Sequence, residues 1–178
     1  MDSINKQQPE HNMDDLNGRN SIKKIKEIVK KNNSCFFLTE TATGASNGTR
    51  PMSVQNVDEN GHLWFLSASD SHKNEEIDSD PRVRLYFQSS SHSDFMYLAG
   101  SARITRNRDK IDELWEPLMK VWFTDGKDDA RITVIEVIPE EGYYWDTKHG
   151  NFVAGVKMMI GAAVGKTLDD SIEGKIKV

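Results

Sequence analysis

The sequence predicts a mainly antiparallel sheet or barrel with helices added at its edges, a strand-dominated α+β fold. Three observations carry this reading. About six or seven short runs have the look of strands and about three or four that of helices, and they do not alternate as regular strand–helix–strand units. Several strand runs are bounded by Gly, Asn, Asp and Ser clusters of the kind that close hairpins. The glycine signatures of parallel nucleotide-binding folds are missing: no GxGxxG follows a strand, and "GAAVGKT" has its glycines four apart rather than five.

The elements follow in order. Residues 1–19 are polar, with Met1, Ile4, Met13 and Leu16 as their only sizeable apolar side chains, and read as a mobile tail or a loosely docked arm ahead of a domain over 20–178. Ile22, Ile25, Ile28 and Val29 recur at helical spacing, with Ser21 as the expected cap. "CFFLT" is a buried-type strand and "TATGASNGT" a flexible turn. "RPMSVQNV" and "HLWFLS" flank "DENG", which predicts a tight hairpin. A short helix through Ile77 ends at "SDP", because the residue before Pro81 is pushed out of helical geometry. "RVRLYF" alternates as a strand should. "FMYLAGSARIT" is a long strand with Gly100 as its expected bulge or bend. Ile111, Leu114, Trp115, Leu118 and Met119 form a helical stripe that Pro117 divides. "ARITVIEVIPEEGYYWD" reads as one or two strands near Pro139, and the apolar segment 150–164 as a helix.

Composition removes several function classes. The 178 residues suit one domain with a tail; 37% are hydrophobic and 29% charged. A net charge of −5, with no basic patch interleaved with aromatics, argues against nucleic acid as a partner. No run approaches the ~20 apolar residues that a membrane span needs, and the first residues lack the features of a secretory leader, so the expected location is the cytoplasm. Cys35 is the only cysteine and reads as a small core residue. The histidines are scattered without ligand spacing, "SSSHSD" is too local to be a catalytic triad, and Asp128 and Asp129 read as a solvated loop.

One stretch asks for more. "SASDSHKNEEI" follows the apolar "HLWFL" and opens a helix with small polar side chains. A helix start offers unsatisfied N–H groups and partial positive charge. Ser67, Ser69 and Ser71 add hydroxyls, Lys73 a cation and His72 a ring donor, so a phosphate would be welcome. A well-capped polar turn is the alternative. If "TRPM" pairs with "HLWFLS" across the hairpin, Arg50 falls beside Ser67, and two cations then converge where an anion would relieve their repulsion. Asp70, Glu75 or Glu76 could supply that anion from within the chain.

The ordered set "TRPMSVQNVDENGHLWFLSASDSHKNEEIDSDPRVRLYF" resembles the flavin-binding split barrels of the pyridoxamine 5′-phosphate oxidase superfamily, and "EVIPEEGYYWD" resembles their general stress protein 26 branch. The likeness covers roughly residues 21–147. It implies an antiparallel split β-barrel with peripheral helices, paired as a homodimer with FMN at the interface. By position, Arg50 and Lys73 would hold the FMN phosphate, with Ser67 and His72 beside them. Met52, Ser53 and Val54 would run their backbone along the isoalloxazine edge, and Leu66 would line the flavin. Trp145 would approach it from the partner subunit, with Trp122 and Phe123 packing near the ring. Ordinary core or interface packing is the alternative for these three aromatics.

The departures matter too. The position of a basic substrate residue in the oxidases is Gln55 here, the flavin-directed glutamine position is Phe95, and "TKHGNF" stands where those enzymes carry an Arg-x-His element. The phosphate site is kept while the vitamin B6 site is not. The expected function is an FMN-binding general stress protein, either an oxidoreductase served by a nicotinamide or small-molecule electron donor, or a binding and sensing module without turnover. A split barrel that has lost the cofactor and serves as an interaction module is a third class, against which Arg50 and Lys73 argue.

Overall fold

The computed structural model describes residues 12–43, 47–90, 93–148 and 170–178. In chain order it runs β1 (Leu16–Asn17), α1 (Arg19–Lys31), β2 (Ser34–Thr39), β3 (Thr49–Ser53), β4 (Asn56–Val57), β5 (Leu63–Ala68), α2 (His72–Ser79), β6 (Arg82–Gln88), β7 (Phe95–Thr105), α3 (Arg108–Leu114), two 3-10 turns (Pro117–Val121 and Gly126–Asp128), β8 (Ile132–Thr147) and β9 (Ser171–Lys177). The helix expected over 150–164 lies outside the described residues.

The strands form one mixed, open sheet in the order β1-β9-β8-β7-β6-β2-β3, with β5 on β8 and β4 on β5. Every pairing is antiparallel except β1 with β9. β8 is the shared beam: Ile132–Val137 pair with β5 and Glu141–Thr147 with β9, while β7 follows it along nearly its whole length. The ladder slips between Ala99 and Gly100, where the sequence expects a bulge. A Cβ at Gly100 would lie 2.1 Å from the carbonyl oxygen of Ile138, so only glycine passes there.

Alternation fixes the faces. Val83, Leu85 and Phe87 of β6 are buried while Arg82, Arg84, Tyr86 and Gln88 are exposed. The inward set, with Phe37, Phe65, Met96, Leu98, Ile135 and Val137, closes over Ile25, Ile28 and Val29 of α1. Phe37 and Phe65 meet edge to face at 5.4 Å. Cys35 is part of this core, and burial pushes its thiol up to about 12. A second apolar cluster joins Ile111, Leu114, Phe123, Ile132 and Val134 on the other side of β5.

Three local expectations are corrected. Arg50's strand does not pair with Ser67's: β3 pairs with β2, placing Arg50 opposite Phe37, and the "DENG" turn joins only the two-residue β4 to β5. β3 ends the sheet, where a strand that lacks a donor at Pro51 belongs. Ser21 does not cap α1. The helix starts at Arg19 behind Gly18 (φ 53°), and the buried Ser21 hydroxyl donates to the Lys177 carbonyl at 2.9 Å. Asp129 is not solvated: it is buried and takes hydrogen bonds from the Arg131 side chain at 3.1 and 2.7 Å. The polar arm, where described, runs beside β9, with the Asp14 N–H donating to Glu173 O at 2.8 Å. Among the described residues no helix is long and apolar enough to cross a membrane.

Candidate functional site

Arg50 reaches the helix start by a route that the hairpin argument did not foresee. It leaves β3 on the core-facing side and meets α2 through Glu76, whose Oε2 accepts from Arg50 Nη2 at 2.5 Å. Arg50 Nη1 donates to Thr39 Oγ1 at 3.2 Å. The Glu76 side chain has no solvent exposure. It also accepts from Thr39 Oγ1 at 2.6 Å, from the Thr43 N–H at 2.8 Å and from Thr43 Oγ1 at 3.1 Å. Burial pushes this carboxyl up, but the hydrogen bonds from Thr39, Thr43 and Arg50, with the Arg50 charge, outweigh burial and hold it at about 2. The internal anion considered for Arg50 therefore exists, and it is Glu76.

Lys73 is placed differently. Its ammonium donates to Ser71 Oγ at 3.2 Å, and no carboxylate of the described residues lies within 4.0 Å of it. Burial, then the Arg50 charge, pull its pKa below the ordinary lysine value against the opposing fields of Asp70 and Glu76. Arg50 and Lys73 thus share the start of α2 with Glu76, which Arg50 occupies, and with Asp70 and Glu75, which do not contact Lys73, so the ammonium can still take an added anion.

A polar network sets the floor of this cluster. Ser67 Oγ donates to Asn74 Oδ1 at 2.7 Å, Asn74 Nδ2 donates to Thr133 Oγ1 at 2.9 Å, and Thr133 Oγ1 donates to the Ser67 carbonyl at 3.0 Å. Ser71 stands at the N-cap position of α2, but its side chain makes no capping bond and turns to Asn74 Oδ1 at 3.3 Å instead. This keeps the first helical N–H groups clear of their own cap. The network fixes β5, α2 and β8 to one another, so the cations stand on a rigid base.

The remaining expected residues are spread out. Met52 packs on the main core and Val54 is buried within it; the Val54 N–H and C=O are both taken by Asn33, at 2.9 and 3.0 Å. Ser53 is exposed on the edge strand, where the Gln55 amide donates to its carbonyl at 2.9 Å. Leu66 faces the second cluster, and His72 is exposed, 3.8 Å from Glu75. Phe123 is 4% exposed among Ile111, Leu114 and Ile132, whereas its neighbour Trp122 is 74% exposed. Trp145 projects from β8, 4.7 Å from the Tyr143 ring. Trp145 lies on β8 and Ser53 on the edge strand β3, and these two strands do not pair with each other.

Thr39, Thr43, Asn74 and Thr133 were not singled out from the sequence. The threonine-rich "TETAT" after β2 was the available signal for a carboxylate cradle, and it reads equally as loop chemistry. A cleft of 320 Å³ beside α2 is lined by Ser69, Asn74, Glu75, Asp78, Arg106 and Thr133, and one of 560 Å³ by Trp64, Arg103, Lys110, Glu113 and Glu136 among others. Neither contains Arg50 or Lys73.

Comparison with known proteins supplies the remaining findings. The family model described as "Pyridoxamine 5'-phosphate oxidase like" matches residues 20–169. General stress protein 26 of Bacillus subtilis is 31% identical over 82 residues, covering 44% of this chain and 58% of that one. The chain spans 58% and 64% of the lengths of curated relatives it matches. Among solved structures, a putative general stress protein 26 from Jannaschia superposes with a TM-score of 0.73 at 17% identity, over 88% of this chain and 97% of that one. The general stress FMN/FAD binding protein of Xanthomonas citri superposes with a TM-score of 0.58 at 22% identity, over 68% and 84%.

Proposed function

The chain belongs to the pyridoxamine 5'-phosphate oxidase-like family, and on that premise we propose that it binds FMN through a phosphate subsite made by Arg50, Lys73 and the start of α2. The observation that carries this is the Lys73 ammonium, partly buried beside Arg50 with no carboxylate of the described residues within 4.0 Å. The donor set fits a phosphate monoester: a guanidinium, an ammonium, the hydroxyl of Ser71 and helix N–H groups that no side chain caps. The flavin-binding relative in Xanthomonas citri supports the same reading.

Bound flavin supplies the electron-transfer chemistry. This chain's residues then have three tasks. Arg50 and Lys73 neutralise the phosphate. The edge strand β3, with alternate backbone groups turned away from β2, offers hydrogen bonds to the ring edge near Ser53. The Ser67–Asn74–Thr133 network holds the base of the site in register. A homodimer completes the reading. Phe36, Tyr86, Tyr97 and Tyr143 lie in one register row on the outer face of the sheet, and a second protomer would cover them and could bring Trp145 to the flavin.

A second reading is flavin binding without turnover, because a phosphate subsite holds the cofactor alike in an enzyme and in a binding module. The deciding experiment begins with the absorption spectrum of the protein after FMN addition and desalting. A retained flavin band near one FMN per chain is expected, lost in the Arg50→Ala, Lys73→Ala double variant while its melting transition survives. Retention by that variant refutes the subsite. Reduction of bound flavin by NADH or NADPH, with reoxidation by an acceptor, selects the oxidoreductase over the binding module.

A further inference from the structure

We infer that Glu76 is a positioning residue for the proposed phosphate subsite, holding Arg50 in the binding posture and leaving Lys73 as the cation whose charge the ligand must satisfy. The inference rests on the FMN reading above. It assigns different work to two side chains that the resemblance treats as a pair.

The geometry points this way. Arg50 is fastened at two nitrogens, Nη2 to Glu76 and Nη1 to Thr39, and both acceptors are themselves fixed. Thr39 belongs to β2 and Glu76 to α2, and Thr43 ties Glu76 to the loop that follows β2. The Glu76 backbone carbonyl also accepts from Thr41 Oγ1 at 3.1 Å. The carboxylate is therefore the joint at which helix, strand and loop meet, and the guanidinium is set by that joint. Arginine has five N–H donors in a rigid fork; two are committed here, and three remain for a ligand. A guanidinium oriented in advance does not lose its rotamer freedom on binding. Lys73, on a flexible stem with one neutral partner, carries charge without orientation.

Riboflavin and FMN differ only by the phosphate, so the ratio of their dissociation constants isolates this subsite. Fluorescence-quenching titrations of the full chain with each ligand give that ratio for wild type and Glu76→Gln. The amide introduced by this substitution keeps the volume of the carboxylate, but the acceptor that faces Arg50 Nη2 loses its charge. FMN affinity should fall about tenfold, the scale of one charge-assisted hydrogen bond, with riboflavin affinity unchanged. In an Arg50→Lys background, where no fork remains to be oriented, the same substitution should leave the ratio unmoved. If Glu76→Gln does not fold, judged by its melting transition, Glu76→Asp serves instead: it keeps the charge, withdraws the carboxylate by one methylene, and should lower the ratio in the same direction. Equal weakening of both ligands would mark Glu76 as a structural residue and overturn the inference. So would unchanged or tighter FMN binding. A wild-type protein that binds both ligands equally would fail the phosphate subsite itself, and the inference with it.

Discussion

Glu76 is a carboxylate removed from water and kept charged by four hydrogen bonds. Its ionisation is therefore coupled to folding. The group sits near 4.5 when unperturbed and at about 2 in the fold, so it binds its proton less readily in the folded state. That stabilises the fold above the unfolded value. At neutral pH the contribution is on the order of 3 kcal/mol, and it disappears as pH falls from about 5 to about 2. Chemical denaturation of wild type across this window should lose stability steeply, with a shallower loss in Glu76→Gln; parallel curves would show that other carboxylates dominate. Trp122 and Phe123 teach a related lesson. Both are aromatic and adjacent, yet one is exposed and the other buried, because the turn between Val121 and Phe123 directs successive side chains oppositely. The resemblance implies both as neighbours of the flavin ring, and the backbone path gives them different exposure.

Elements were legible where their periodicity was clean. β6 read directly from alternation, β5 from its apolar run beside a turn, β7 as one long strand, and α2 from its polar start and its stop before Pro81. Pairing was harder to read. Turn chemistry at Asp58 is strong, with its carboxylate accepting from the N–H groups of Asn60 and His62 and from Trp64 Nε1. That strength suggested a longer hairpin than exists. β9, "SIEGKIK", escaped notice because its buried positions are Gly174 and Ile176, and one of them has no side chain to register as apolar. Gly174 is forced by the close passage of Asp14, whose carbonyl would lie 2.0 Å from an added Cβ. The same test applies at the bulge in β7. Gly100→Ala should destabilise by at least about 2 kcal/mol, because backbone and not a movable side chain occupies the space. A melting or urea midpoint indistinguishable from wild type would show that the bulge can migrate.

At the scale of the whole molecule, the outer sheet face carries large rings that the described residues leave exposed. Phe36 is 58% exposed and Tyr86 42%, Tyr86 stacks on Tyr97 at 5.3 Å, and Tyr143 continues the row toward Trp145. Rings presented side by side over several strands make a surface that favours a partner. Light scattering should give twice the chain mass, and a Tyr86→Lys, Tyr97→Lys variant should return the single-chain mass and lose FMN affinity with it. A single-chain mass for the unaltered protein would remove the dimer from the functional reading. The site was partly legible from sequence for a reason of the same scale. Arg50 and Lys73 are local signals, but the carboxylate that orients one of them depends on three elements meeting, which no linear spacing encodes. The pairing of β1 with β9 has a kinetic meaning. Asp15 and Lys175 hydrogen bond across 160 positions of sequence, so this edge cannot be assembled from neighbouring segments. Closing so large a loop is entropically unfavourable until β8 is already in place to receive β9. The edge is therefore expected among the late events of folding, and early amide protection of β9 equal to that of β5 and β8 would refute this.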